Sequence, residues 1–196
     1  MTMPTLYFDL GSPYGYLAFE RAQSVLGQPI DFEPVLLGVI FALRGRGSWS
    51  ATTERAARIA ELEQRAGRYG IAPIVWPAGW PADGLMAMRA AAWAKRLGRV
   101  EAFARAVYRA QFTTGADISE RAVLQACATR VGLYGDALAG AVADADVKRA
   151  LRVATERAWG AGVRGIPTLR CATELFYGDD RLEDAARHLA SARAER

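Results

Sequence analysis

The stretch Thr5-Leu-Tyr-Phe-Asp-Leu-Gly-Ser-Pro-Tyr-Gly-Tyr-Leu-Ala18 decides how the chain begins. Thr5 to Leu10 is a short apolar run rich in β-favouring residues and reads as a strand. Gly11 breaks it. Ser12-Pro13 then opens a helix, with Ser as N-cap and Pro at the first helical position, where its missing N–H costs nothing. Tyr14, Leu17, Ala18 and Ala22 carry the helical spacing to about Leu26. Ile30 to Val35 is a second strand, so the chain opens β-α-β, the start of a parallel sheet.

Beyond this unit the pattern turns helical. Leu36 to Leu43 forms a short helix and Arg44-Gly-Arg-Gly-Ser48 a basic turn. Ala56, Ile59, Leu62, Ala66 and Tyr69 recur at helical spacing across Thr53 to Tyr69. Ile71 to Gly84 is a loop of Pro, Gly and Trp, too broken for a central strand. Helices follow over 85–97, 100–112, 120–131, 134–142 and 145–161, with Gly132, Gly135 and Gly162 at boundaries. At the end, Thr168–Cys171 and Glu174–Tyr177 read as a hairpin, Gly178-Asp179-Asp180 as a turn and cap, and Arg181–Ala194 as a last helix. The expected fold is α/β and thioredoxin-like, β-α-β then β-β-α with a helical insertion. Residues 1–35 and 162–196 form the thioredoxin-like domain, and 36–161 the helical insertion domain.

Composition narrows the function. Of 196 residues, 25 are basic and 21 acidic, and 52% are apolar. That is the balance of an ordinary globular protein, with no basic-aromatic cluster for nucleic acid. Met1 to Thr5 carry no basic leader and no run is long enough to span a membrane, so the expectation is a cytoplasmic protein. The two cysteines, Cys127 and Cys171, lie in no CxxC or metal spacing, which argues against a disulfide framework and a metal site. His188, the single histidine, falls on a helix surface. Chemistry here has to work without a catalytic histidine.

Three stretches carry candidate chemistry. Ser12 follows a strand and starts a helix, whose free N–H groups and dipole favour a thiolate. Its hydroxyl can donate to such a sulfur; read alone, it is a good cap. In Gly162-Val-Arg-Gly-Ile-Pro-Thr-Leu169, Pro167 at a strand entrance suggests a rigid, cis Ile166–Pro167 bond that frees Ile166 to pair with a peptide-like ligand. The plain reading is a Pro at a strand start. In Phe176-Tyr-Gly-Asp-Asp-Arg-Leu182, one aspartate can cap a helix and the other face an ammonium group.

Taken in order, DLGSPYGYLA, LLGVIF (36–41), RYGIAPIVWP (68–77), GVRGIPTL and FYGDDRLED resemble the motifs of 2-hydroxychromene-2-carboxylate isomerases and kappa-class glutathione transferases, in the DsbA-like branch of thioredoxin folds. The resemblance spans nearly the whole chain. It implies that Ser12, standing where relatives of the fold have a redox cysteine, stabilises a glutathione thiolate. It implies that Ile166 and Pro167 hold the cysteinyl backbone, that Tyr177, Gly178, Asp179 and Asp180 hold the γ-glutamyl end, and that the protein is a homodimer. It implies as second ligand a small aromatic or conjugated substrate, for which Phe41, Arg44 and Asp83 are the candidate contacts. In the isomerases of this family the thiolate would add to it, a former double bond would rotate, and glutathione would leave unchanged. The chain departs from the family at Ala42, where a Lys is usual, at Asp83-Gly84-Leu85, where Asn-Ser/Thr-Leu is common, and at Gly11 and Gly15. Two other readings share the motifs: a kappa-like transferase conjugating an electrophile, and a non-catalytic member of the family. Disulfide exchange through Cys127 and Cys171 is the weakest. Trp76, Trp80 and Trp93 are expected in the core rather than in a pocket wall.

Overall fold

The computed structural model describes residues 3–194. The outermost residues of the expected thioredoxin-like unit, and the first two of the segment read as lacking a leader, lie outside them. Four strands, β1 (Thr5–Phe8), β2 (Asp31–Pro34), β3 (Thr168–Cys171) and β4 (Glu174–Tyr177), form one sheet in the order β2-β1-β3-β4. β2 runs parallel to β1, and β3 antiparallel to it, so the sheet is mixed. Pro34 is accommodated in β2 because that strand is an edge.

β1 ends two residues earlier than its apolar run. The Asp9 carbonyl accepts the Ser12 N–H at 3.0 Å and its carboxylate accepts the Gly11 N–H at 2.8 Å, which turns the chain into the helix. Helix α1 (Pro13–Leu26) starts on Ser12, whose hydroxyl oxygen accepts the Gly15 N–H at 3.1 Å, and ends on Gly27 at φ 59°. Helices α2 (Leu37–Leu43), α3 (Arg55–Arg68), α4 (Leu85–Arg96), α5 (Val100–Thr114), α6 (Arg121–Arg130), α7 (Leu138–Ala143) and α8 (Ala145–Gly160) follow, then α9 (Leu182–Ala194) after β4. The helix expected over 134–142 is split into a 3-10 turn at Gly135–Ala137 and the short α7.

Alternation along β1 sends Leu6 and Phe8 to one face and Tyr7 to the other. On the first face Phe8 meets Phe19 of α1 and Tyr108 of α5, so one core runs from the sheet through α1 into the helical segment. Trp80, only 5% exposed, belongs to this core, and the partly buried Trp76 and Trp93 pack against it. On the second face Ala158 of α8 and Val163 in the loop after it pack with Tyr7. His188 lies half-buried with its ring 5.6 Å from that of Phe176.

Gly15 is required by this packing. A Cβ there would stand 2.5 Å from Tyr108 Oη, and that hydroxyl donates to the Asp9 carbonyl at 2.8 Å from full burial. Gly15→Ala is therefore expected to destabilise the protein by about 2 kcal/mol despite alanine's better helix propensity. Urea unfolding checks this, and Tyr108→Phe in the same chain should recover part of the loss by removing the atom that clashes.

Candidate active site

At the C-terminal end of β1 a cavity of about 460 Å³ opens over the N-terminus of α1. Ser12 forms part of its wall and is 4% exposed. The oxygen of its hydroxyl takes the Gly15 N–H, and among the described residues nothing accepts the hydroxyl's own proton. The helix mouth adds one free donor: Pro13 has no N–H to offer, and that of Tyr14 finds no partner among the described residues.

The loop before β3 supplies the opposite wall. The Ile166–Pro167 bond is cis, and a second cis bond, unforeseen in the sequence, joins Trp80 and Pro81. Neither backbone polar group of Ile166 finds a partner among the described residues, whereas Pro167 O accepts the Gly178 N–H at 3.0 Å. That bond ties the proline loop to the turn after β4. Tyr177 lies over Gly165, where a Cβ would meet its ring at 2.5 Å, and Gly178 adopts φ 116°.

The two aspartates behave differently. Asp179 is 1% exposed and points inward: Arg65 donates to Oδ1 at 2.9 Å and Tyr69 to Oδ2 at 3.0 Å, while Arg21 donates to its carbonyl at 2.8 Å. Burial pushes its carboxyl above the usual range against the pull of Arg65. Asp180 is the open one, at 54% side-chain exposure and 3.6 Å from Arg65. Behind them Tyr14 donates to Glu61 at 3.2 Å, and burial followed by the Glu61 charge pushes its phenol up to about 12.

Ser12, Phe41, Arg44, Ile166, Pro167, Tyr177, Gly178, Asp179 and Asp180 thus line one cavity. Arg44 is held there, donating to the Arg164 carbonyl at 2.7 Å, despite its glycine-flanked turn. Asp83 is not in that wall. It lies in an adjoining cleft that shares Leu37 and Phe41, and its Oδ1 accepts the Leu85 N–H at 2.9 Å at the start of α4. Arg46, Arg58 and Arg65 join Arg44 in the lining, against Glu61, Asp179 and Asp180. Arg58, Glu61 and Arg65 were invisible in the sequence because i, i+3 and i, i+4 charges on a helix read as a solvated face. Trp49, a large aromatic between a Gly/Ser turn and α3, was the one readable signal that sequence reasoning passed over.

No cysteine is in this lining, and Cys127 and Cys171 are both buried and unpaired. Burial pushes the Cys171 thiol up to about 11, which makes it a poor thiolate. Among the described residues no His/Cys/Asp/Glu group could hold a metal ion, and no helix is long and apolar enough to cross a membrane. Two larger hollows, of about 580 and 690 Å³, lie elsewhere and do not include Ser12. The arrangement can bind an extended peptide-like molecule across the cavity and place an acidic group of it at the α1 N-terminus.

The DSBA-like thioredoxin domain family matches residues 5–190. A 2-hydroxychromene-2-carboxylate isomerase of Sphingobium xenophagum is 28% identical over 183 residues, 90% of this chain and 92% of that protein. A solved 2-hydroxychromene-2-carboxylate isomerase superposes with TM-score 0.86 at 21% identity, over 99% of this chain and 98% of its own. The cytosolic disulfide reductase DsbM of Pseudomonas aeruginosa, solved with GSH, superposes with TM-score 0.62 at 19% identity over all of both chains. At these identities the structural likeness speaks to the fold.

Proposed function

Starting from a chain that belongs to the DSBA-like thioredoxin domain family, we propose that it is a glutathione-dependent isomerase of the 2-hydroxychromene-2-carboxylate type. One observation carries the reading. A buried serine with an uncommitted hydroxyl proton caps a helix at the edge of a cavity that contains no cysteine. That site suits a thiolate brought by a ligand rather than one made by the protein. The GSH in the DsbM structure and the name of the curated relative support the same choice.

In this reading the peptide groups of Ile166 pair with the cysteinyl unit of glutathione, as an added strand would. Asp180 faces its α-ammonium group, and Asp179 holds Arg65 and Tyr69 in place behind it. The sulfur comes to Ser12, where the hydroxyl and the positive end of α1 lower the thiol pKa. Thiolate addition to the conjugated substrate makes a single bond of a double one, rotation follows, and expulsion of the thiolate restores glutathione. Phe41 offers an apolar face to the substrate and Arg44 a partner for its carboxylate. Mixing the protein with glutathione and 2-hydroxychromene-2-carboxylate should give the ring-opened benzylidenepyruvate, with no net use of glutathione. No product at saturating glutathione would sink the reading.

Ala42 favours a second reading. With no lysine after Phe41, and no lysine or arginine in the adjoining cleft, an uncharged electrophile is accommodated there. A stable thioether formed from an aryl halide, with no isomerisation, would mark a kappa-like transferase.

A further inference from the structure

The cleft beyond Phe41 contains a buried acid that the glutathione site does not use. It holds about 450 Å³ and shares Leu37 and Phe41 with the Ser12 cavity. Val39 and Leu85 present apolar surface to it and are 41% and 40% exposed. Asp9, 9% exposed, lies in its inner wall, where β1 turns toward Ser12. The Gly11 N–H donates to Oδ1 and the Leu37 N–H to Oδ2, both at 2.8 Å, and among the described residues no cation pairs with it. From α5 the buried Tyr108 hydroxyl donates to the carbonyl of the same residue, α4 contributes the apolar Met88, and the exposed Asp83 adds a second negative charge. Burial pushes the Asp9 carboxyl up, and the two amides oppose this only in part. An acid so placed holds its proton into a range where an exposed aspartate has lost it.

Resting on the isomerase reading above, we propose that the cleft receives the conjugated end of the substrate and that Asp9 is its proton donor and acceptor. As the sulfur–carbon bond forms at the β-carbon, the electron pair of the carbon–carbon double bond moves to the carbonyl oxygen. Asp9 passes its proton to that oxygen, giving an enol and a carboxylate held by the Gly11 and Leu37 amides. After rotation the carboxylate takes the proton back and the double bond re-forms. The carbon–sulfur bond breaks, its pair leaving with the thiolate.

The same carboxylate also ties Leu37 to the end of β1, so the test separates proton transfer from that tie. Two probes are used with glutathione: a cis aryl enone, whose isomerisation needs the proton, and chlorodinitrobenzene, whose chloride displacement does not. Asp9→Asn is expected to lower the ratio of enone turnover to chloride displacement about 100-fold. In the unaltered protein, enone turnover should fall as pH rises through the Asp9 pKa, a limb absent from the chloride-displacement profile. Equal losses on both probes, or superimposable pH profiles in the unaltered protein, overturn the proposal. The profiles decide the matter even if Asp9→Asn fails to fold. A chain that binds glutathione as thiolate but shows no such limb loses only the role of Asp9. A chain that turns over neither probe overturns the glutathione reading and this role together.

Discussion

Ser12→Ala is expected to leave glutathione affinity nearly unchanged while the bound thiol's pKa rises by one to two units. The reason is differential. Most of the tripeptide would be held by the Ile166 peptide groups and the Asp180 turn, which the substitution does not touch. The hydroxyl's contribution falls on the charged sulfur alone, and a hydrogen bond to a charged group is worth about 1.5–3 kcal/mol, one to two pKa units. Near neutral pH the thiolate fraction, and turnover with it, should then fall about 10- to 100-fold. Calorimetry measures the affinity, and the ultraviolet thiolate band followed against pH measures the ionisation. An unchanged thiol pKa would contradict the role given to this hydroxyl. The same substitution removes the acceptor of the Gly15 N–H, so a loss of about 1 kcal/mol in stability accompanies it. Ser12→Gly, which keeps most of the capping but has no hydroxyl, separates the two effects.

Arg65→Met should produce the largest loss of stability at the site, about 3 kcal/mol near neutral pH. Arg65 is 18% exposed, and its guanidinium bridges Asp179, which is 1% exposed, and Glu61. Without it the Asp179 carboxylate keeps only the Tyr69 hydroxyl and has no cation on its side chain. Its carboxyl already titrates above the usual aspartate range because of burial, and the loss of Arg65 raises it further. A group whose folded pKa is raised favours the folded state when protonated, and this advantage disappears as pH rises through that pKa. The variant should therefore be closest to the unaltered protein in mild acid and diverge from it toward neutrality. Urea unfolding at the two pH values tests this. Adding Asp179→Asn, which removes the stranded charge, should recover part of the loss. A pH-independent deficit would mean that Arg65 acts through packing alone, over the Tyr14 ring 5.6 Å away.

The legible part of the site was the part made by consecutive residues. Ser12-Pro13 caps a helix, Ile166-Pro167 enters a strand, and Tyr177-Gly-Asp-Asp180 turns into α9; each is governed by its own backbone and so announces itself locally. Asp9 lay within the first quoted motif, yet its carboxylate finds Leu37, 28 residues on, only in the folded chain. Asp179 looked like one of two capping aspartates and proved to be the acceptor for side chains of α3 and its C-terminal cap. Asp83, grouped with Phe41 from the ordered motifs, stands in the neighbouring cleft because its side chain is used to start α4.

From the sequence alone followed the element order, the Ser cap at the first strand–helix junction, the constrained proline and the lack of a redox cysteine pair. All of these rest on local rules: periodicity, capping and the special backbones of Gly and Pro. The tertiary structure alone decided that α3 and its C-terminal cap supply Arg65 and Tyr69 to a buried aspartate, that Gly15 makes room for Tyr108, and that Asp9 lines a separate cleft with no cation among the described residues. The first two depend on surfaces that meet across 93 to 114 residues of chain, the third on a contact between Asp9 and Leu37 28 residues on, and burial sets the cost of every charge that lies between them. An amphipathic helix declares that it has a buried face, but not which carboxylate it will meet there.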